Sequence, residues 1–252
     1  KPGKTAREII EQYDGPPIRI MEVCGTHTHE IFRLGIRKLL PEQVELISGP
    51  GCPVCVTPVG FIDEAVWLAL EAGVTICTFG DLVRVPGTKM SLAGAREKGG
   101  KIQIVYSPAD AEKYAKSHPE EQVVFLSVGF ETTTPSACLS VKKAKEDELE
   151  NYSILTANKT MPGAYEALKG SADVFLYPGH VNAITGTELC EQLTEEGVSG
   201  VVAGFTAKEL LTALAVALTR FQEGKPFFVN CYPRVVTEDG SIEAQKLVEE
   251  LM

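Results

Sequence analysis

The sequence lacks an excess of basic residues and lacks any long apolar run. Its 252 residues carry 24 Lys and Arg against 34 Asp and Glu, which gives a formal net charge of −10. This balance excludes a general nucleic-acid binder, because such proteins neutralise phosphates with basic side chains. The longest stretch without a charged residue, at 46–62, is interrupted by Pro and Gly. We therefore expect no membrane span and no membrane or nucleic-acid partner.

The cysteine content is odd in number and scattered, with seven residues along the chain. This pattern argues against a disulfide framework and for metal-binding, redox or buried thiols. No apolar signal region follows the N-terminal residues 1–4, so we expect a reducing, cytoplasmic location. Four cysteines lie in or beside apolar segments and are interpreted as small core residues: Cys77, Cys138, Cys190 and Cys231.

Short β-branched runs predict eight strands, most of them followed by a helical pattern. Strands are expected at 18–23, 44–48, 74–79, 102–106, 123–128, 152–157, 173–178 and 199–203. Helices are expected near 5–13, 29–40, 58–72, 88–98, 109–117, 137–149, 161–169, 186–196 and 206–222. This alternation predicts an α/β protein with mainly parallel sheets flanked by helices. The polar stretch 107–122 separates two similar lobes, residues 1–116 and 117–252, and an eight-stranded barrel is the competing topology.

Unusual side chains follow the predicted strands at their carboxyl ends, where parallel α/β sheets bind ligands. The first strand leads into Cys24 and His27, and the second leads into Cys52 and Cys55. Later strands lead into the remaining candidates, which are Asp81, Glu131 with Thr132, and His180. We expect these side chains to line one cleft at the carboxyl ends of the strands.

The first two loops together offer three thiols and one imidazole. Cys24 and His27 form a C-x2-H pair, and Cys52 and Cys55 form a C-x2-C pair. Thiolates with an imidazole suit iron or zinc. Cys55 comes just before the helix predicted at 58–72, whose N-terminus would favour a thiolate, so a reversible Cys52–Cys55 disulfide is chemically reasonable. The alternative interpretation of the same four residues is a structural Cys3His zinc site.

The later loops are less specific. The segment 129–135 lacks the Gly-Lys-Ser/Thr ending of a phosphate loop, so nucleotide binding is not supported. Glu131 and the threonines beside it suit a polar ligand or the backbone of a partner, and plain helix capping is the alternative. His180 is presented by a Tyr-Pro-Gly-His loop and is a functional candidate, His29 is either a ligand or a surface residue of the first helical turn, and His118 is interpreted as a surface residue.

Three of these segments resemble the signature motifs of the HypD family of [NiFe]-hydrogenase maturation factors. They are Cys-Gly-Thr-His-Thr-His at 24–29, Gly-Pro-Gly-Cys-Pro-Val-Cys-Val-Thr-Pro at 49–58 and Gly-Phe-Glu-Thr-Thr at 129–133. The segments Pro-Gly-His-Val at 178–181 and Gly-Phe at 204–205 also resemble the family. The likeness extends from about residue 5 to residue 240.

This resemblance implies a cytoplasmic scaffold on which iron receives two cyanides and one carbon monoxide, the Fe(CN)2CO fragment of the hydrogenase. It implies two partners, the chaperone HypC and the cyanide donor HypE, which carries cyanide as a thiocyanate. Cys24 would be the thiolate that holds iron with the chaperone's N-terminal cysteine, and His27 would assist. Cys52 and Cys55 would be the redox-active dithiol of cyanide transfer. We further expect residues on neighbouring loops, Asp81 and Glu131, to orient His27 or the thiols.

One departure from the family concerns a [4Fe–4S] cluster. The family carries four further cysteines for this cluster in a C-terminal region, whereas here only Cys190 and Cys231 follow Cys138. We expect a fragment without that region rather than a member with another source of electrons.

Two other classes of function stay open at this point. One is an independent thiol–disulfide oxidoreductase that acts through Cys52 and Cys55 and does not need Cys24. The other is a binding module stabilised by zinc, with unreactive thiols. The scaffold itself is not expected to be a conventional enzyme with independent turnover.

Overall fold

The computed structural model describes residues 3–252, in which strands and helices alternate along the chain. The strands of this part are β1 Ile18–Glu22, β2 Val44–Ser48, β3 Thr75–Thr78, β4 Ile102–Ile104, β5 Val123–Ser127, β6 Tyr152–Thr156, β7 Val174–Pro178, β8 Ser199–Ala203 and β9 Phe228–Asn230. The α-helices are α1 Ala6–Glu11, α2 Gly25–Arg33, α3 Val59–Leu70, α4 Leu92–Glu97, α5 Pro108–Ser117, α6 Thr134–Glu146, α7 Met161–Leu168, α8 Gly179–Thr185, α9 Glu188–Glu195, α10 Ala207–Phe221 and α11 Ile242–Leu251. Short 3-10 helices cover Ile36–Leu39 and Leu82–Arg84.

The strands form two sheets in which the neighbouring strands run parallel. The first sheet has the order β2-β1-β7-β8-β9, and the second has the order β4-β3-β5-β6. Helices flank both sheets, so the expected α/β class with two mainly parallel sheets is confirmed. The described residues form two open sheets rather than the alternative eight-stranded barrel.

The contacts group the chain into two compact units. One unit consists of the chain up to Cys52 together with Met161–Ile242, and the other consists of Pro53–Thr160 with Glu243–Met252. The boundary expected after residue 116 falls inside the second unit, within α5. The difference arises because the chain leaves the first sheet after β2, builds the whole second sheet and then returns for β7, β8 and β9. The amino-acid composition near a candidate boundary gives no indication that the chain later rejoins the first sheet.

The core of the first unit lies between its sheet and helices that include α1 and α10. Strand β7 is buried along its whole length, as expected for a parallel strand covered on both faces. Helix α10 begins with a capping box in which the Thr206 hydroxyl accepts the Glu209 N–H and the Glu209 carboxylate accepts the Thr206 N–H. The core side of α10 has apolar residues at helical spacing: Leu210, Ala213, Leu214, Ala217 and Leu218.

The core of the second unit is built in the same way. Phe61 and Ile62 of α3 pack with Ile76 of β3 and Leu126 of β5. A separate cluster holds Cys77 beside Phe125, together with residues of α5. Each unit therefore has its own buried sheet. The loops that carry the candidate site residues follow the strands of these two sheets.

Several element predictions are corrected by the structure. Strand β9 and helices α8 and α11 were not expected, and α8 follows β7 without an intervening loop. The helix predicted at 29–40 begins earlier, at Gly25, and ends at Arg33. It ends there because Gly35 adopts a φ of 65°, the left-handed conformation that terminates helices. None of the helices in residues 3–252 is long and apolar enough to cross a membrane.

The helix α10 core yields a direct test of the packing. Leu214 is 0% exposed, whereas Leu139 on α6 is 58% exposed. We predict that Leu214→Ala lowers the free energy of unfolding by about 2–5 kcal/mol, because it leaves a cavity among packed side chains. Leu139→Ala, the matched control, should change it by less than about 0.5 kcal/mol. Urea unfolding followed by circular dichroism measures both, and equal effects would contradict the packing described.

Candidate functional site

Two loops of the first unit cross at their glycines. The Cys24 loop (residues 23–25) follows β1, and the Cys52 loop (residues 49–52) follows the neighbouring strand β2. A Cβ atom added to Gly51 would lie 2.8 Å from the carbonyl carbon of Cys24 and 2.9 Å from its Cα. The Gly49 N–H also donates a hydrogen bond to the Glu22 carbonyl oxygen at 2.9 Å. The backbones can approach this closely only because residue 51 has no side chain, and the contact brings Cys24 and Cys52 to the same end of the sheet.

Cys24 is the residue that precedes the first turn of α2, and its side chain is half-buried. Burial raises the pKa of the Cys24 thiol, although the amide N–H groups of Thr26 and His27 and the Thr26 hydroxyl face the sulfur and oppose the rise. No regular capping hydrogen bond forms to the sulfur. The thiol therefore holds its proton in the apo protein, and a metal ion would displace that proton because the thiolate is the ligand form.

His27 lies beneath the surface on the same helix and is 0% exposed. Its Nε2 lies 3.2 Å from the carbonyl oxygen of Ala203 and 3.0 Å from that of Gly204. Both neighbours are acceptors, so we assign the hydrogen to Nε2, which leaves a lone pair on Nδ1. This Nδ1 has no hydrogen-bond partner among the described residues. Burial lowers the pKa of His27 to about 4, so the ring is neutral near pH 7 and Nδ1 presents a lone pair that can bind a metal.

A stack of three rings joins His27 to His180. The Phe205 ring lies between them, with centroid distances of 4.5 Å to His27 and 3.8 Å to His180. His180 is exposed at the start of α8, and burial against its neighbours lowers its pKa. The structure thus places two of the predicted site residues on opposite faces of one aromatic ring.

Glu209 holds the loop that carries Phe205. Its carboxylate accepts the N–H groups of Phe205 and Thr206, both at 3.0 Å, and pairs with Arg234 at 2.7 Å. Burial alone would raise the pKa of Glu209, but the hydrogen bonds from Thr206, Arg234 and Phe205 outweigh it and hold the pKa at about 2. The Arg234 guanidinium also lies 4.9 Å above the Tyr232 ring, whose edge meets Phe205.

The dithiol motif spans the boundary between the two units. Cys52 ends the first segment of one unit, Cys55 belongs to the other, and both are exposed. Cys55 lies in a turn at 53–56, where the Thr57 hydroxyl donates to the Pro53 carbonyl oxygen at 2.9 Å. Helix α3 begins only at Val59. Cys55 thus lies four residues before the start of α3, which begins one residue later than predicted, whereas Cys24 directly precedes the first turn of α2.

The remaining predicted residues belong to the second unit and follow its strands. Asp81, after β3, and Thr132, after β5, are exposed, and Glu131 is half-buried. The hydroxyls of Thr133 and Thr134 both donate to the Phe130 carbonyl oxygen, at 3.1 and 3.0 Å. Thr133 precedes α6 but makes no side-chain capping bond, so plain capping does not account for this run. That a single cleft collects the residues of both units stays a prediction.

Comparison with known proteins identifies the family. The family described as "HypD: Hydrogenase formation hypA family" matches residues 3–252. The chain is 41% identical over 266 residues to the hydrogenase maturation factor HypD of Cupriavidus necator, covering 99% of the chain and 70% of that protein. Its identity to the Rhodobacter capsulatus HypD is 43% over 230 residues, covering 89% and 61%. Its identity to the Escherichia coli HypD is 41% over 240 residues, covering 93% and 64%. This chain belongs to the HypD family.

The likeness extends over nearly the whole chain and confirms the resemblance inferred from the motifs. The chain spans about two thirds of the length of the HypD relatives named here, between 61% and 70%. The family membership establishes a connection with hydrogenase maturation. The ligands, partners and redox steps of this chain are matters for proposal.

Three residues of this HypD chain were missed as site residues by sequence reasoning. Glu22 is a completely buried carboxylate that ends β1. Phe205 is the middle ring of the stack described above, and Glu209 accepts the Phe205 N–H and so holds its loop. Glu22 has a signal in the sequence, because an acidic residue between Met21 and Val23 interrupts an apolar strand. Phe205 has none beyond its place in the HypD motif pattern, because stacking depends on how distant strands pair.

The other four cysteines do not resemble ligands. Cys77, Cys138 and Cys190 are buried, and burial raises the pKa of Cys77 and Cys190 to about 12 and that of the half-buried Cys231 to about 11. A [4Fe–4S] cluster requires four thiolates, and these thiols lie in separate apolar elements, so they do not fit that group. Within residues 3–252 no group of three or more His, Cys, Asp or Glu is arranged to hold a metal ion, and the Cys3His zinc site is not assembled.

The glycine crossing generates a prediction. We predict that Gly51→Ala lowers the free energy of unfolding by about 1–3 kcal/mol and speeds alkylation of Cys24, because the new methyl group forces the two loops apart. Gly60→Ala in α3 is the matched control, since no atom lies within 4 Å of the added Cβ. Urea unfolding and iodoacetamide labelling read by mass spectrometry check both variants. Unchanged stability and labelling in Gly51→Ala would show that the loops do not touch.

The low pKa of Glu209 predicts a pH dependence. Because the pKa falls from 4.5 to about 2 on folding, the ionised carboxylate stabilises the protein above pH 4.5, and this stabilisation is lost as the pH falls through 2. At about 1.4 kcal/mol per pKa unit, Glu209→Gln should cost on the order of 3 kcal/mol at pH 7 and almost nothing at pH 2. Unfolding measured across pH, with exposed Glu195→Gln as control, tests this. A deficit independent of pH would refute it.

Proposed function

We propose that this chain is a scaffold in [NiFe]-hydrogenase maturation that holds iron while the Fe(CN)2CO fragment is assembled. The observation that carries the proposal is the crossing of the Cys24 and Cys52 loops at Gly51, which brings an iron-binding thiol and a redox thiol to one end of the first sheet. Family membership supplies the link to hydrogenase maturation. The scaffold would act in the cytoplasm with HypC and HypE as partners.

Cys24 is the residue best suited to hold the iron. Its sulfur is half-buried, so it is accessible from one side only, and the first N–H groups of α2 stabilise a negative sulfur. A soft thiolate on low-spin ferrous iron is compatible with cyanide and carbon monoxide as further ligands. The N-terminal cysteine of HypC would supply a second thiolate ligand to the iron.

His27 would assist at this centre through Nδ1. The two carbonyl groups at 203 and 204 fix Nε2 as the protonated nitrogen, so only Nδ1 presents a lone pair. Burial keeps that nitrogen unprotonated near pH 7. His27 is therefore suited to bind iron directly through the Nδ1 lone pair.

Cys52 and Cys55 would supply the electrons for cyanide transfer. Cleavage of a thiocyanate into cyanide and a thiol consumes two electrons and one proton. Oxidation of the Cys52–Cys55 pair to a disulfide releases two electrons and two protons, so the two half-reactions balance with one proton left over. The exposure of both thiols lets a thiocyanate carried by HypE reach them.

The residues of the second unit would act on the incoming partner or ligand. Asp81 and Thr132 are exposed, and Glu131 follows the same strand end as Thr132. We propose that they orient His27, the thiols or the transferred group. Asp81→Ala and Glu131→Ala should therefore slow hydrogenase maturation in a complementation assay, and normal maturation in both variants would remove them from the site.

The test of the iron role is infrared spectroscopy on the chain purified anaerobically with HypC. We predict stretching bands of iron-bound carbonyl and cyanide that disappear in Cys24→Ala, because this thiolate anchors the fragment. Cys231→Ala is the matched control and should leave the bands unchanged, since that thiol lies in apolar packing. Bands that persist in Cys24→Ala would overturn the assignment.

The exposure of Cys52 and Cys55 also favours a second candidate, an independent thiol–disulfide oxidoreductase. This candidate predicts dithiol exchange with a small disulfide at the same rate in the parent protein and in Cys24→Ala, with no iron-bound diatomics in either. Stoichiometric zinc together with unreactive thiols would instead support the zinc-stabilised binding module.

A further inference from the structure

We infer that Glu22 is a positioning residue that holds the Cys24 and Cys52 loops in contact. This inference deepens the proposed function, because it concerns the same two thiols. It depends on a buried carboxylate that neither iron binding nor electron transfer uses.

Glu22 is completely buried at the end of β1, two residues before Cys24. Burying a carboxylate is unfavourable unless it is paired and hydrogen-bonded. Here Oε1 accepts from Arg37 Nη2 at 2.7 Å, while Oε2 accepts from the hydroxyls of Thr28 at 2.7 Å and Ser48 at 3.1 Å. The charge is thus paired, and its lone pairs reach three different segments of the chain.

One of these hydrogen bonds fixes the Cys24 loop. Thr28 lies one turn along α2 from Cys24, and its N–H donates to the Cys24 carbonyl oxygen at 3.1 Å. The hydroxyl of the same residue donates to Glu22. The first turn of α2 is therefore attached to the end of β1, and the direction in which Cys24 leaves the strand is set.

Two other hydrogen bonds fix the Cys52 loop. Ser48 is the last residue of β2 and pairs in register with Glu22, and its hydroxyl donates to the Glu22 carboxylate. Gly49 comes next and donates its N–H to the Glu22 carbonyl oxygen. Glu22 thus holds the start of this loop through both its side chain and its main chain.

Arg37 is the charged partner of the Glu22 carboxylate, and it lies partly in contact with solvent. Its Nη1 donates to the Leu46 carbonyl oxygen in β2 at 2.6 Å, and its side chain is 40% exposed. Arg37 can therefore turn to water if Glu22 loses its charge, so a neutral replacement of Glu22 leaves no buried cation behind. This makes Glu22→Gln a milder change than removal of Arg37, which would leave a buried carboxylate unpaired.

Cys24 and Cys52 lie close enough for a chemical cross-link between their thiols, and the rate of that cross-link can be measured. The Cβ built on Gly51 is 2.9 Å from the Cys24 Cα. Since consecutive Cα atoms are 3.8 Å apart, the Cα atoms of Cys24 and Cys52 lie within about 8 Å of each other. A short thiol-bridging reagent such as dibromobimane can link two side chains at that separation.

The experiment measures the rate at which dibromobimane links Cys24 to Cys52 in the full chain carrying Cys55→Ser. We predict that Glu22→Gln lowers the linking rate by about tenfold, the change expected for loss of one charge-assisted hydrogen bond. Single-site alkylation of Cys24 by iodoacetamide should not fall below the parent rate in this variant, so slower linking cannot come from a less reactive thiol. Glu45→Gln, an exposed position on β2, is the matched control and should link at the parent rate.

Two milder variants guard against a general loss of structure. Ser48→Ala and Thr28→Val each remove one hydroxyl contact and should each slow the linking, with circular dichroism spectra unchanged. Parent-like linking in Glu22→Gln overturns the inference, and so does absence of any link in the parent. If the links behave as predicted while the infrared bands are absent, the positioning role stands and the iron role fails.

Discussion

The site depends on one close backbone contact, the crossing of the Cys24 and Cys52 loops at Gly51. A parallel sheet brings the ends of β1 and β2 side by side, but it does not by itself bring the following loops together. The contact forms because residue 51 has no Cβ and because Gly49 and Ser48 are held at Glu22. Remove the glycine or the carboxylate, and the two thiols lose their common position.

Burial then decides the chemical state of each group. It raises the pKa of Cys24 and lowers that of His27, so near pH 7 the first is an uncharged thiol and the second an uncharged imidazole. Such a pair is uncharged and compatible with a buried position, yet it becomes a thiolate when a metal ion binds. The buried charge near the site is Glu22, which is paired with Arg37.

The fold class was accessible from the sequence, since eight of the nine strands among residues 3–252 coincide with short β-branched runs that end at Gly, Pro, Thr or Cys. The division into units was not, because β7 joins β1 across 150 residues and no local signal announces that pairing. Cys24, His27 and Cys52 were found from spacing and strand position. The Phe205 ring stack was not, because it needs β8 to lie near α2. Glu22 had a visible signal, because it is an acidic residue within an apolar strand. Its role could not be predicted, because its hydrogen-bond partners Thr28, Arg37 and Ser48 are known only from the structure.

The account is tested most directly by iron X-ray absorption on the chain loaded with ferrous iron in the presence of HypC. We predict sulfur ligation that loses one sulfur in Cys24→Ser and keeps its full sulfur count in Cys55→Ser, as the proposed roles of Cys24 in holding iron and of Cys55 in the redox step require. An iron spectrum that is the same in the parent and in Cys24→Ser would contradict the central claim that this loop crossing is the iron-holding site.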